Sequence, residues 1–244
     1  TIIIAAIILI SGYWFYSNLT TPQSNSQIRV TNLPWQITVF NEQTLGVFDL
    51  EIGRSTLSDA VRILKSEYKL AWFENPDNSI SLEAYFLRVS LSGLRAKVVL
   101  ELDKENLDME YLKKNSGEPE ILSSRAIKYP LDDLAEAMGS REIRSLSYIP
   151  VTCVDESILK SRFGEPEEVL NMNDEMFFWL YPQKGVVLTI DRKGKEAFQY
   201  VPLADFERLR QTVLNTIKQN NRSKKKGNSL TKAGMERLGR MGLS

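Results

Sequence analysis

The first ten residues of this sequence are almost wholly aliphatic, and a folded domain has few places for such a run. They read Thr-Ile-Ile-Ile-Ala-Ala-Ile-Ile-Leu-Ile, and the first charge of the whole chain comes only at Arg29. Aromatic residues follow at positions 13–16, and rings of this kind are typical of the head-group level of a membrane. We therefore predict a single transmembrane anchor over residues 1–16, with Tyr13, Trp14 and Tyr16 at the membrane interface.

The predicted anchor is shorter than the roughly 20 residues that a helix needs to cross a bilayer core. Because the sequence begins with Thr1 rather than Met, we expect the span to start upstream of it. A cleaved signal peptide is the alternative, but such peptides end in small residues, and Gly-Tyr-Trp-Phe-Tyr at 12–16 is a poor match. The only cysteine is Cys153, so the early cysteine of a lipoprotein is missing. An uncleaved anchor is the favoured interpretation.

The composition excludes several kinds of catalytic and metal site. The 244 residues include no histidine, which excludes Ser-His-Asp and Cys-His catalysis and any metal bound by histidine. The single cysteine cannot form an internal disulfide or a CxxC motif, and its neighbours Val151 and Val154 favour a buried structural thiol. The sequence therefore predicts no cofactor and no metal site.

A polar linker and a first α+β unit are predicted after the anchor. Residues 17–34 are rich in Ser, Thr, Asn, Gln and Pro, which is typical of a tether. The unit covers residues 35–115 and contains a helix that begins at Ser55 or Thr56, with Asp59 three residues after Thr56. Its predicted strands are Trp35–Phe40, Leu45–Leu50, Leu70–Phe73, Ser81–Ser90 and Ala96–Leu102.

A helical bridge and a second α+β unit follow. The bridge covers residues 116–145, and helices are expected at Lys104–Lys114 and Leu131–Met138. The second unit, residues 146–217, has a helix begun by Asp155 and ended by Gly164. Its strands are predicted at Leu146–Val151, Glu168–Asn171, Met176–Tyr181, Gly185–Ile190 and Ala197–Val201, before a last helix at Leu203–Ile217.

The predicted fold class is therefore α+β: a transmembrane helix, two helix-plus-antiparallel-meander units and a disordered basic tail at 218–244. An internal repeat supports the two units. The hexapeptides ILKSEY at 63–68 and ILKSRF at 158–163 share four identities, and each ends the helix that precedes a meander.

A resemblance to known families rests on residues 155–201. This stretch has a short helix, Phe-Gly-Glu-Pro at 163–166 and an aromatic strand at 177–181. It resembles the small lipoprotein of the outer-membrane barrel-assembly machinery, and it is similar to the duplicated unit of beta-lactamase inhibitor protein. The chain departs from the lipoprotein because it has no lipidated cysteine, is expected to have a transmembrane anchor and carries the unit twice.

The resemblance implies a helical pair on a short antiparallel sheet that binds other proteins rather than substrates. It also implies an envelope setting, so the chain looks like a bacterial inner-membrane protein with a periplasmic domain; a cytoplasmic domain is the alternative. The predicted function is a membrane-anchored binding or scaffolding module in a complex of envelope or membrane proteins.

Catalysis without histidine would need a Ser-Lys pair, paired carboxylates or a metal held by carboxylates. Lys65-Ser66 and Lys160-Ser161 are adjacent on predicted helices, so the two side chains of each pair point about 100° apart. The acidic pairs lie in turns or at helix starts: Asp132-Asp133, Glu167-Glu168 and Asp174-Glu175. We expect no enzyme; an envelope hydrolase with paired carboxylates and an inhibitor of a secreted enzyme are the alternatives.

Aromatic residues are the candidates for partner binding, because this residue type dominates interface energies. Within residues 176–181, alternate side chains point to opposite faces of the strand. One set must pack on the helices, and the other is open to a partner or covered, with covered favoured because large exposed apolar patches are rare. The predicted partner-binding residues are Trp72, Phe73, Tyr85, Phe177, Trp179 and Tyr181.

Charge is distributed unevenly along the chain. From Lys218 to the end there are eight basic residues and one acidic residue, so this tail carries +7 and the rest of the chain −7. We expect a solvated tail whose simplest partner is anionic lipid or an acidic protein face. Nucleic acid is not expected, because no aromatic residues are interleaved for stacking. The candidate anion-binding residues are Arg222, Lys224, Lys225 and Lys226.

Overall fold

The computed structural model describes residues 31–76, 78–194 and 196–222, and β-strands dominate them. The helices in these residues are α1 (Leu57–Leu64), α2 (Met109–Asn115), α3 (Glu156–Phe163) and α4, formed by residues 206–222. The strands are β1 (Thr38–Val39), β2 (Leu45–Val47), β3 (Leu50–Ile52), β4 (Tyr68–Glu74), β5 (Ile80–Leu91), β6 (Leu94–Leu102), β7 (Glu120–Ile121), β8 (Ile127–Pro130), β9 (Ile143–Pro150), β10 (Glu168–Asn171), β11 (Met176–Tyr181), β12 (Val186–Asp191) and β13 (Ala197–Tyr200).

Ten of the described strands form one continuous antiparallel sheet, in the order β10-β11-β12-β13-β9-β6-β5-β4-β8-β7. The remaining three, β1 to β3, form a small separate sheet. Strand β9 joins two meanders: it pairs with β6 from Ala96↔Pro150 to Leu102↔Ile143, and with β13 from Phe198↔Tyr148 to Tyr200↔Leu146. The sheet therefore runs through both halves of the chain without a break.

The prediction of an α+β fold built from two helix-plus-meander units is wrong, because the described chain is mostly β. Each meander would end in a strand with unpaired backbone groups, and β9 satisfies the groups of β6 and β13 at once. The two predicted sheets merge for this reason. Helices α1, α2 and α3 have only seven or eight residues each, too few to form layers of their own.

Helix α1 begins and ends where local chemistry requires it. The Thr56 hydroxyl accepts the Asp59 N–H, and the Asp59 carboxylate accepts the Thr56 N–H in return, which is the predicted capping box. The helix ends at Lys65, which is left-handed at φ 47°. Leu57, Ala60 and Leu64 are buried against the sheet, so the predicted apolar face belongs to the core.

The stretch between the two meanders is less helical than predicted. Helix α2 begins only after Asp108, whose carboxylate accepts the Tyr111 N–H at 3.0 Å. In place of a helix at Leu131–Met138 there is one 3-10 turn, Asp132–Leu134. The Asp132 carboxylate accepts the Leu70 N–H at 3.2 Å, so it holds β4 instead of capping a helix. Two-stranded pairing of β7 with β8 fills the rest of the predicted bridge.

Both faces of β11 are covered, as the alternating pattern predicts. Phe177, Trp179 and Tyr181 belong to the main core, which most strands of the large sheet share with α1 and α3. Phe178 and Leu180 point the other way and pack under α4. The residues of α4 that cover them are spaced as the sequence predicts and are Phe206, Leu209 and Val213, with Ile217 at the edge of the cluster.

Helix α4 is also held by an ion pair to the first residue of β10. The Arg210 guanidinium donates to both carboxylate oxygens of Glu168, at 2.7 and 2.9 Å, and these bonds lower the pKa of Glu168 below its ordinary value. A carboxyl group whose pKa is lowered by folding stabilises the fold above its unfolded pKa of about 4.3, and the stabilisation is lost as the pH falls through the folded value.

Replacing Glu168 by glutamine should therefore lower the free energy of unfolding by about 1 kcal/mol at neutral pH, and the difference from wild type should vanish once the pH lies below the lowered pKa of Glu168. Urea denaturation at several pH values measures both effects. Glu207→Gln is the control, because Glu207 lies 3.5 Å from the same guanidinium but is far more exposed. An equal loss in both variants, or a difference that persists in acid, would contradict the assignment.

The prediction of a single-pass inner-membrane protein is not supported. No helix in the part of the chain that the structure describes is long and apolar enough to cross a membrane. The predicted anchor at 1–16 and its interface residues Tyr13, Trp14 and Tyr16 lie outside the described residues, as do most of the linker and of the basic tail.

Candidate functional site

A groove of about 720 Å³ lies beside β10, where α3 stops short of covering the sheet; we call it the β10 groove. Phe177 and Trp179 of β11 form its floor, and Glu156 and Lys160 of α3 form one wall. The remaining lining residues come from β10, its flanking turns and the turn after β12: Glu165, Pro166, Val169, Asn171, Met172, Asn173, Asp174 and Arg192.

Strand β10 also forms an open edge of the sheet, and this edge borders the groove. Among the described strands it pairs only with β11 and is the end strand of the sheet. The Met172 N–H donates to the Met176 carbonyl, and antiparallel ladders alternate bonded and non-bonded pairs, so Leu170 and Glu168 also face β11. The backbone N–H and C=O groups of Val169 and Asn171 therefore point away from the sheet.

The two side-chain faces of β10 differ for the same reason. Leu170 packs under α4 and Glu168 binds Arg210, whereas Val169 and Asn171 point to the groove. Val169 is 46% exposed, although valine is an apolar residue in a regular strand. An apolar side chain and unpaired backbone groups thus meet at the same edge.

Cations lie over both aromatic rings of the floor. Lys160 Nζ is 5.5 Å from the centre of the Trp179 ring and 3.0 Å from the Glu165 carboxylate. The Arg192 guanidinium is 4.9 Å from the centre of the Phe177 ring, and its Nε donates to Glu156 at 3.0 Å. These contacts fix both cations in the walls, because each has a carboxylate and a ring to hold it.

The carboxylate of Asp174 has no such partner among the described residues. Arg192 reaches only the Asp174 carbonyl oxygen, at 3.4 Å. With the carboxylates of Glu156 and Glu165 paired to Arg192 and Lys160, Asp174 leaves the lining with one negative charge in excess. The groove is therefore electrostatically suited to a positively charged group at its Asp174 end.

The structure buries most of the predicted partner-binding aromatic residues. Trp179 is 3% exposed and Phe177 only slightly more, so little of either ring is accessible from the groove. Tyr181 packs on Phe163 and donates its hydroxyl to the Gly164 carbonyl at 2.9 Å, and burial raises its pKa to about 12.

The other three predicted aromatic residues lie on β4 and β5, outside the groove. Trp72 is fully buried and Phe73 nearly so. Tyr85 is half-buried beside a separate hollow of about 680 Å³ and donates its hydroxyl to Glu83, and burial raises its pKa. The predicted set is thus divided between two places in the sheet.

One member of each predicted acidic pair has a structural partner. Asp132 binds Lys69, and Glu168 binds Arg210. Glu175 pairs with Lys193. The structure instead places Glu83 directly opposite Glu101, and hydroxyl groups of Ser81 and Ser145 donate to them, at 2.7 and 3.1 Å. No group of three or more carboxylates or thiols in the described chain could hold a metal ion.

Other sequence expectations also find their places. Cys153 is exposed rather than buried, because it follows the end of β9, and its thiol lies 3.5 Å from the Gly194 carbonyl oxygen. Arg222, exposed on α4, is the last described residue, and Lys224, Lys225 and Lys226 lie outside the described part. Lys160 of the predicted Lys-Ser pairs is engaged in the groove, whereas the Ser161 hydroxyl donates to the Ile158 carbonyl.

Sequence reasoning missed the residues that make the β10 groove accessible, above all Val169, Asn171 and Asp174. A usable signal was present. Pro166 and Glu167 directly precede a four-residue strand that begins with Glu168, and proline and charge are typical protections of an edge strand. No family model, no curated protein and no solved structure matches this chain, so the geometry of the groove alone bears on its function.

Proposed function

We propose that this chain is a protein-interaction module that holds a segment of another protein in the β10 groove. The carrying observation is an unpaired strand edge beside a groove with an aromatic floor. The backbone of a second protein can match the backbone groups of an open edge, and neighbouring side-chain pockets add specificity. In this proposal the domain binds its partner and performs no chemistry.

A small-molecule ligand fits the groove less well. Sites for small ligands bury most of the ligand surface against apolar walls. Here Phe177 and Trp179 already lie under Arg192 and Lys160, so little aromatic surface is left for a compact ligand. A protein segment gains instead from the whole length of the edge, including Val169 and the outward backbone groups.

Site-directed photocrosslinking tests the proposal. Benzoylphenylalanine is placed at Val169 in the full chain, and the control position is Ile121, which is 77% exposed on β7 at the other end of the sheet. We expect a covalent adduct with one other protein from position 169 in the cells that naturally produce the chain. Position 121 should give no such adduct.

The protein identified in this way is then purified and titrated with the full chain. Val169→Lys should weaken its binding at least about tenfold, because it places a charge in the apolar part of the contact. Ile121→Lys should leave the affinity unchanged. If position 169 gives no adduct, or if both positions give the same one, the proposed function is wrong.

A further inference from the structure

We infer that the segment held in the β10 groove is extended, rich in lysine or arginine, and joins the large sheet as an additional strand on β10. This inference rests on the proposed function and names the chemistry of its partner. Two independent observations support it, namely the backbone groups of β10 and the charges along the same edge.

The backbone groups of β10 favour an extended segment over a helix. Val169 and Asn171 each present an N–H and a C=O group away from β11, two residues apart. A strand placed about 4.8 Å away offers matching groups at the same spacing. A helix has already bonded its own backbone groups within itself, so it leaves those of Val169 and Asn171 unmatched.

The charges along this edge favour a basic segment. Residues 165–174 read Glu-Pro-Glu-Glu-Val-Leu-Asn-Met-Asn-Asp, with four carboxylates and no basic residue. Lys160 pairs with Glu165, and Arg210 pairs with Glu168. The carboxylates of Glu167 and Asp174, one at each end of β10, have no hydrogen-bond or ion-pair partner among the described residues. An added strand with lysine or arginine near its two ends neutralises both.

A second copy of this chain is a poor occupant for the same reason. Pairing two β10 edges would bring two copies of residues 165–174 together, and the four carboxylates of Glu167 and Asp174 would lie along the shared edge without a basic partner. Like charges on neighbouring strands are destabilising. The charges of this edge therefore disfavour pairing with a second copy of the chain and favour an added strand of opposite charge.

Defined peptides test the inference on the full chain. The probes are three fluorescent heptapeptides in which valine alternates with lysine, with serine or with glutamate, and a lysine peptide whose central valine is replaced by proline. Binding is followed by fluorescence anisotropy at about 0.15 M salt, where unspecific surface charge effects are largely screened. We expect the lysine peptide to bind at least about tenfold more tightly than the other three.

Variants of the chain separate the backbone and charge contributions. Val169→Pro removes the outward N–H, whereas Val169→Ala removes the side chain and keeps the N–H; only the proline variant should lose the lysine peptide completely. Proline is tolerated on an edge strand, and an unchanged melting temperature checks the fold. Glu167→Gln with Asp174→Asn should weaken binding about tenfold. Glu118→Gln with Glu120→Gln, at the β7 edge, is the matched control and should change nothing.

Three results would overturn the inference. Equal affinity for the lysine, serine and glutamate peptides would show that the partner segment need not be basic, although a crosslink at position 169 would still support protein binding in the groove. Equal binding of the proline-containing peptide, or tight binding of the lysine peptide by Val169→Pro, would show that the segment does not bind by adding a strand to β10. If a chain ending at residue 222 binds the lysine peptide at least about tenfold better, the groove belongs to the basic tail of this chain and not to another protein.

Discussion

Replacing Trp72 by alanine is expected to lower the free energy of unfolding by about 3–5 kcal/mol, as large aromatic deletions in a core do. Trp72 lies at the centre of β4 with no exposed surface. The Trp72 ring stacks on the ring of Tyr129 in β8, with 4.0 Å between the two ring centres. Lys113 Nζ of α2 lies 5.5 Å from the centre of the Trp72 ring. The Trp72 ring thus packs against both β8 and α2, and alanine at position 72 would leave a cavity between them.

Urea denaturation of the full chain measures this loss. Trp72→Phe is the matched variant: it keeps an aromatic ring and removes an indole N–H that has no hydrogen-bond partner among the described residues, so its cost should stay below about 2 kcal/mol. Ile121→Ala, on the exposed edge strand β7, should change stability by less than about 0.5 kcal/mol. Equal losses for alanine and phenylalanine at position 72 would mean that the ring stack contributes nothing.

Gly185→Ala should be nearly as destabilising, at about 3–5 kcal/mol, because backbone strain and overpacking add at this position. Gly185 follows the turn between β11 and β12 and is left-handed at φ 58°. A Cβ atom there would lie 2.2 Å from the Val201 carbonyl oxygen and 2.5 Å from Leu45 Cδ1. The first neighbour is backbone and cannot move away, and the second comes from the small sheet.

Gly93→Ala separates the two causes. Gly93 is also left-handed, at φ 81°, but nothing lies within 4 Å of where its Cβ would be. Alanine at position 93 should lower the free energy of unfolding only by the cost of the left-handed backbone conformation, about 1–2 kcal/mol. Thermal and urea unfolding of both variants give the comparison. If the two glycines cost the same, then Val201 and Leu45 do not pack against Gly185 as the structure has it.

Local patterns in the sequence predict much of the second meander correctly. The alternation of residues 176–181 predicts both β11 and its two opposite apolar faces, and the structure confirms them. The Asp155 start and the Gly164 end of α3 are confirmed as well. These features depend on neighbours within a few residues, so the sequence contains all that is needed to find them.

Features that depend on distant residues could not be predicted in this way. No local pattern shows that β9 pairs with β6 and β13 at once, which is why two separate units were expected. The carboxylate of Asp132 looks like a helix cap in the sequence, but it bonds to the N–H of Leu70, 62 residues away. Strand pairing over such separations is fixed by tertiary structure, not by local preference.

The candidate site shows the same division. Residue type alone ranks Trp179 and Tyr181 above Val169, because aromatic side chains dominate interfaces. The structure reverses the order of accessibility, since α3 and Lys160 cover the aromatic residues and the end position of β10 exposes the valine. Which strand lies at the end of a sheet is a property of the whole topology, so the sequence of β10 could only hint at it.

The pairing of β9 with both β6 and β13 also limits where this protein can be divided into fragments. A cut between β6 and β9 would leave one fragment with the bare side of β6 and the other with the bare side of β9, over seven residue pairs. Each fragment would then have a long strand edge with unpaired backbone groups, in contrast to the short, acidic edge of β10. The shortest fragment without such an open interior edge contains both meanders, so we expect the two meanders to fold together as one unit.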